Sequence, residues 1–170
     1  MADQTTPVVG CVLEAMREFF VDREPIGGRT EAPQHRGGMN IPLDGLADAD
    51  CKGIPIVSVL RRFYSEDFPT ETEQSGACRK CRAVLIQASV SRCSTTFDAQ
   101  GNPPTPEEMD HEALVLLDDA QRLEWVICRA GAIAEERGLI DDYAIGAWSP
   151  DGPDGGVLTG LITASFQLTR

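Results

Sequence analysis

The stretch between Thr105 and Gly138 constrains this chain more than any other. Thr105-Pro106-Glu107-Glu108 has the form of a capping box, in which the Thr105 hydroxyl accepts from the Glu108 N–H and the Glu108 carboxylate reaches back. Pro106 stands at the first helical position, where a missing N–H costs nothing. Beyond it Ala113, Leu116, Leu117, Ala120, Leu123, Ile127 and Ala130 recur at helical spacing and predict an apolar stripe. Asp118, Asp119, Arg122 and Arg129 fall off that stripe and are expected in solvent. The helix is expected to end near Gly138.

A second helix is predicted near the start. Thr6 reads as its N-cap and Pro7 as its first helical residue. Val9, Val12, Leu13, Met16, Phe19 and Phe20 form one stripe that runs to about Val21 and implies core burial. Residues 23–50 then lose all periodicity, broken by Gly27-Gly28, Pro33, Gly37-Gly38, Pro42 and Gly45. A loop this long is functional or disordered more often than not.

Four strands are expected. Residues 54–64 carry β-branched and aromatic side chains, among them Ile56, Val57, Val59, Phe63 and Tyr64. Residues 82–93 alternate Val84, Ile86, Ala88 and Val90 with Gln87, Ser89 and Ser91, the pattern of an antiparallel sheet with one buried face. Residues 143–148 form a short strand, and 157–168 a longer one with Leu158, Ile162, Ala164, Phe166 and Leu168 on one side. Between these two, Ser149 to Gly156 is dense in turn formers, so Trp148, Pro150, Gly152, Pro153, Gly155 and Gly156 are expected to build a structural turn. The fold class is therefore α+β: one antiparallel or mixed sheet with two helices on one face, in the order α-β-β-α-β-β. Residues 1–170 are expected to form one domain, with the long loop at 23–50.

Charge narrows the function. The chain carries 27 acidic and 15 basic side chains, a formal net charge of −12. Holding nucleic acid needs clustered Lys and Arg, so the balance argues against that role. It is compatible with a lumen past which DNA slides without sticking. Arginine supplies nearly all the positive charge, which suits planar pairing across interfaces, although GC-rich coding produces the same bias. No apolar run approaches the ~20 residues of a membrane helix. The start of the chain lacks the pattern of a secretory signal, so a cytoplasmic origin is expected.

The search for chemistry finds little. Cys78-Arg79-Lys80-Cys81 precedes a strand, whereas a redox pair belongs at a helix start. A structural zinc needs four ligands, and Cys51, Cys93 or His35 would complete a set with Cys78 and Cys81 only by folding in from distant loops. Zinc, a disulfide and free thiols stay open for the pair, with free thiols the expectation. Cys11 and Cys128 fall in helical patterns and are expected as buried free thiols. His35 and His111 have no nucleophile at helpful spacing. Asp118-Asp119 and Asp141-Asp142 are adjacent pairs whose side chains diverge on a helix. Neither Gly27-Gly28 nor Gly37-Gly38 leads into a phosphate-binding helix. No enzymatic activity is expected.

Three stretches carry a family resemblance. They are Val57-Ser58-Val59-Leu60-Arg61-Arg62-Phe63-Tyr64-Ser65-Glu66-Asp67-Phe68-Pro69; Cys78 followed by the strand to Arg92-Cys93 and the acidic helix with Leu117-Asp118-Asp119-Ala120; and Gly146-Ala147-Trp148-Ser149-Pro150-Asp151-Gly152-Pro153-Asp154-Gly155-Gly156 with the Thr/apolar strand behind it. In these and in element order the chain resembles the tail terminator proteins of long-tailed bacteriophages. The resemblance implies a structural virion protein of the neck, assembled in the host cytoplasm. It implies a homo-oligomeric ring, a hexamer, that stops polymerisation of the tail tube protein and meets a head-side stopper or connector. Viral DNA would pass its lumen without specific binding; no cofactor and no membrane is implied. A stopper or adaptor of the same neck is the neighbouring reading, and a small zinc-binding protein the reading from another class. Within the ring reading, contacts between subunits are expected at the long loop and strand edges, with Arg29, His35, Arg36, Met39, Arg61, Arg62 and Tyr64 as candidates.

Overall fold

A computed structural model describes residues 4–37, 51–72, 81–97 and 100–169. The fold is α+β, with a single mixed sheet of five strands and two helices. Helix α1 spans Thr5–Arg17 and continues as a π-helical turn over Glu18–Asp22. Gln4, not Thr6, is its N-cap, so Pro7 falls inside the first turn. The position remains harmless because the first turn's N–H groups have no intrahelical acceptor. The wider π turn lets both Phe19 and Phe20 reach the core.

Strand β1 (Gln34–Gly37) lies within the stretch expected to be structureless, which makes the observed order α-β-β-β-α-β-β. Gln-His-Arg-Gly has no apolar alternation to signal a strand. It forms by parallel pairing with β2 (Ile54–Ser65), Gln34 opposite Ile56 and Gly37 opposite Val59. The remaining pairs are antiparallel: β2 with β3 (Cys81–Cys93), β3 with β5 (Val157–Leu168), and β5 with β4 (Ile140–Asp154). The sheet order is β1-β2-β3-β5-β4.

Strand β4 corrects the expectation of a short strand followed by a long turn. Trp148 and Pro150 are paired within it, opposite Ile162 and Gly160, and only Gly155 and Gly156 form the turn. Both glycines have positive φ, 56° and 79°, as a two-residue hairpin turn demands. Turn-forming residues survive in β4 because it is an edge strand, where a proline's missing N–H is tolerated. Register shifts between Ile145 and Trp148 and between Asp151 and Asp154 absorb the irregular residues.

The main core joins Val8, Val12, Met16 and Phe20 of α1 to Leu123, Val126, Ile127 and Ala130 of α2 (Pro106–Glu136) and to one side of the sheet. From the sheet come Val57, Val84, Ile86, Ala88, Val90, Ile162, Ala164 and Phe166. The other side is less open than its polar sequence suggests. Gln87, Ser89, Ser91 and Thr159 are buried too, Ser91 and Thr159 bonding through their hydroxyls at 2.9 Å. Ile54 and Ile56 form a second apolar cluster, against which Val157 packs. The expectation of one polar, solvated face is thus corrected along β3: the side chains there are short, and larger neighbours on β2 shield them.

Gly131 marks where α2 meets the sheet. A Cβ there would lie 2.5 Å from the Tyr143 ring, which stacks on Phe166 and cannot swing away cheaply. Gly131→Ala gains about 1 kcal/mol of helix propensity and incurs an overpacking cost of about 1–3 kcal/mol. A net loss on the order of 1 kcal/mol is expected from that balance, readable as a lower urea midpoint. A raised midpoint would show that Tyr143 yields.

Candidate interaction surface

The long helix α2 starts as its sequence dictates. Thr105 Oγ1 accepts from Glu108 N at 3.2 Å, and the Glu108 carboxylate accepts from Thr105 N at 2.8 Å. Its buried side is rotated from the expected stripe. Val115, Asp119, Leu123, Val126, Ile127, Ala130, Ile133 and Ala134 point inward, while Ala113 and Leu117 are exposed and Leu116 and Ala120 half-buried. The shift has a simple cause: both sides of the first turns are apolar, so periodicity alone does not choose between them.

Asp119 is inside because an arginine waits there. Arg92 continues the inward alternation of Val84, Ile86, Ala88 and Val90 at the end of β3. Its Nε and Nη2 donate to the two Asp119 oxygens at 2.6 and 2.9 Å, and both side chains are buried. Nη1 donates to the carbonyls of Gly27 and Gly28 at 2.9 and 3.4 Å. Burial pushes the Asp119 carboxyl up from the usual carboxylate range, outweighing the downward pull of Arg92.

The adjacent acid serves a different arginine. Asp118 accepts from Arg122 Nε at 2.8 Å and from the Ile26 N–H at 2.9 Å. Arg122 in turn donates to the carbonyls of Phe19, Arg23 and Glu24. It thereby satisfies groups that the end of the first helix leaves unpaired. Asp118, Asp119 and Arg122 are therefore structural rather than solvated, contrary to expectation; Arg129 is half-exposed and pairs with Glu18 at 3.2 Å. Neighbouring helical residues diverge by about 100°, and here each takes one arginine and one end of the connection after α1.

Cys51 and Cys93 form a disulfide, Cα–Cα 5.3 Å. The sequence offers Cys51 and Cys93 only as distant candidates to complete a zinc set with Cys78 and Cys81, and their pairing is not anticipated there. Ile54 pairs with Ser91, so antiparallel register carries Cys51 to the end of β3 beside Cys93. Cys11 is free and buried, and burial raises its thiol pKa; Cys128 is free but exposed, not buried as expected. Cys78 lies outside the described residues, and Cys81 opens β3 with its side chain outside them. With Cys93 bonded to Cys51, neither is available in this state to complete a zinc set. Among the described residues, no group of three or more His, Cys, Asp or Glu side chains is placed to hold a metal.

A cavity of about 190 Å³ opens under the start of α2, lined by Val115, Leu158, Arg92, Asp119, His111 and the disulfide. Small-molecule sites occupy about 300–1,000 Å³, so this space suits a single side chain better than a metabolite.

The outer side of α2 is the larger feature. Leu114 is 55% exposed, Leu117 64% and Trp125 44%. With Gln121 and Cys128, also exposed, they recur at spacings of three and four and face away from the core. Trp125 lies 5.8 Å from Phe19, and the two rings, with Arg23, Cys128 and Arg129, line an open groove. This second stripe is unusual for a helix whose first stripe already fills a core.

The interface candidates fall in two places. His35 and Arg36 lie on β1, Arg36 held by Gln34 Oε1 at 3.0 and 2.6 Å. Arg61, Arg62 and Tyr64 lie on β2 beyond the end of β1, with Arg61 paired to Glu71 at 3.0 Å. These share the β1–β2 edge region of the sheet, with the adjacent Arg61 and Arg62 on opposite faces. Arg29 stands apart, 3.7 Å from Glu24; Met39 lies outside the described residues. Of the expected turn residues, Trp148 is half-buried against the core and its indole covers Gly160, while Gly155 and Gly156 alone make the turn. Leu114 and Trp125 were not singled out from sequence, although their spacing from Leu117 was readable.

No protein-family model matches the chain, and no curated protein matches it either.

Proposed function

We propose that this chain is a non-enzymatic structural subunit that closes into a hexameric ring at the head-proximal end of a phage tail tube. There it terminates tube polymerisation and joins the tail to the head-side connector. The observation that carries this reading is the exposed apolar stripe of α2, Leu114, Leu117 and Trp125. Contiguous exposed apolar side chains mark protein contacts. In this reading the two helices form one layer over a single side of the sheet, as in a tail-terminator-like domain. That arrangement leaves the outer side of α2 and the strand edges for neighbours. A ring that blocks tube growth needs complementary surfaces and no bond chemistry. The resemblance of the 57–69 and 146–156 stretches to tail terminators supplies the choice among assembly proteins.

Negative-stain imaging of the purified chain, alone and with the tube protein of the same phage, tests the proposal. Closed rings and tubes of arrested length are expected. Monomers at every concentration, with tube length unaltered, would reject it.

A further inference from the structure

We infer that the Cys51–Cys93 disulfide is a thiol-operated latch, opened by a low-molecular-weight monothiol of the glutathione type and closed by the corresponding disulfide. The latch goes beyond the ring reading and holds whether or not the chain forms a ring. Three observations lead there. First, Cys51 is exposed and Cys93 half-buried, so a small thiol can reach the bond from the Cys51 side. Exposed and strained disulfides are the labile ones. Second, Cys51 has a φ of 59° and is the one non-glycine residue in the left-handed region among the described residues. A side chain with a Cβ is disfavoured there about tenfold. The next fixed point is Gly53, at φ 84°, whose carbonyl accepts from Glu31 N at 3.0 Å. Cys51 and Lys52 make no hydrogen bond among the described residues, so the disulfide is the cross-link that holds Cys51 in place.

Third, the bond stands in a wall. Cys51 and Gly27 line the cavity under α2 and also a second, open hollow of about 540 Å³ beside Arg29, Glu31 and Lys52. Gly27 is fixed: its carbonyl accepts from Arg92, and a Cβ there would meet Val115 at 2.6 Å. Cys51 is therefore the movable part of the wall. Opening is a thiol–disulfide exchange. A thiolate attacks the Cys51 sulfur, Cys93 leaves as a thiolate and takes a proton from solvent, and a second thiol displaces the first from Cys51. The protein disulfide is reduced to two thiols while two monothiols become one disulfide. Once released, Cys51 leaves the left-handed region and residues 51–53 pivot on Gly53, joining the two spaces. The β2–β3 ladder, which begins at Ile54, keeps its register.

Trypsin under native conditions tests the latch, with two bonds followed separately by mass spectrometry. One follows the exposed Lys52; the other follows Arg122, whose side chain is paired within α2 and is cut only on unfolding. Reduced glutathione is expected to speed cleavage after Lys52 about tenfold or more and to leave the Arg122 bond intact. Protein reoxidised with glutathione disulfide before digestion should regain the original rate. Cys51→Ser/Cys93→Ser should be cut as the reduced protein is and ignore glutathione; should it fold poorly, the reduced wild-type chain carries the test. Equal rates at Lys52 in the two redox states overturn the latch. Cleavage at Arg122 that rises in step with Lys52 also overturns it, because the whole domain has then loosened. A bond that opens only to a phosphine in denaturant does the same. None of these outcomes bears on ring formation, which imaging reads separately.

Discussion

Asp119→Ala is expected to lower the unfolding free energy by about 3–5 kcal/mol, a large share of the roughly 5–15 kcal/mol that holds a domain together. The substitution removes little apolar area, so the loss comes from what stays behind. Arg92 is 8% exposed, and without Asp119 its guanidinium keeps only the carbonyls of Gly27 and Gly28. A buried cation with no counter-charge is far more costly than the pair was favourable. The raised Asp119 pKa makes the same point: desolvation outweighs the attraction of Arg92. Hence Arg92→Met combined with Asp119→Leu should recover most of the loss. Urea unfolding of the three proteins checks this. A single variant within about 1 kcal/mol of wild type, or a double variant no better than the single, would refute the account.

How much of this was readable beforehand depends on whether local pattern or pairing set the element. The capping box at Thr105 and Glu108 formed as written because it is local chemistry between residues three apart. The β2, β3 and β5 strands appeared within a residue or so of expectation because their alternation is strong. β1 was invisible: its four residues have no apolar pattern and exist as a strand only through β2. β4 was shortened for the opposite reason, since Pro150, Gly152 and Pro153 signal a turn in any local reading. Only its place at the sheet edge, known from topology, lets them remain in a strand.

The candidate surface was half legible. Arg92 sits in phase with Val84 to Val90, so its inward direction is legible, whereas Asp119 shares a side with Val115 and Leu123 that periodicity alone does not distinguish from the side of Leu117. Charged side chains are seldom fully buried unless paired, and partners 27 residues apart in sequence are not readable without the fold. Leu117 was assigned to the core because nothing local distinguishes an inner from an outer leucine. That error is informative, since a helix with apolar residues on both sides has a use for the second side.

Reducing the Cys51–Cys93 bond is expected to destabilise the chain by about 4 kcal/mol, the chain-entropy value for a closed loop of this size. The two cysteines are 42 residues apart and enclose β1's partner β2 and most of β3. Opening the bond frees the denatured chain to spread across that whole span, whereas the folded sheet keeps its register through the β2–β3 hydrogen bonds. The effect should therefore appear as a lower midpoint with the secondary structure of the native state unchanged. For a chain of this length the shift corresponds to roughly 8–16 °C. Thermal melts with and without a phosphine reductant give the value, and the Cys51→Ser/Cys93→Ser pair should reproduce it without reductant. Cys128 is exposed and free, so its alkylation serves as the control for thiol chemistry away from the bond. A reductant shift under about 2 °C, set against that entropy, would mean that the denatured chain already holds these two ends together. Reduction and Asp119→Ala act at the same corner of the fold, since Cys93 follows Arg92. Their combined effect should fall short of the sum, because once Arg92 has lost Asp119 the end of β3 that the disulfide tethers is already loosened.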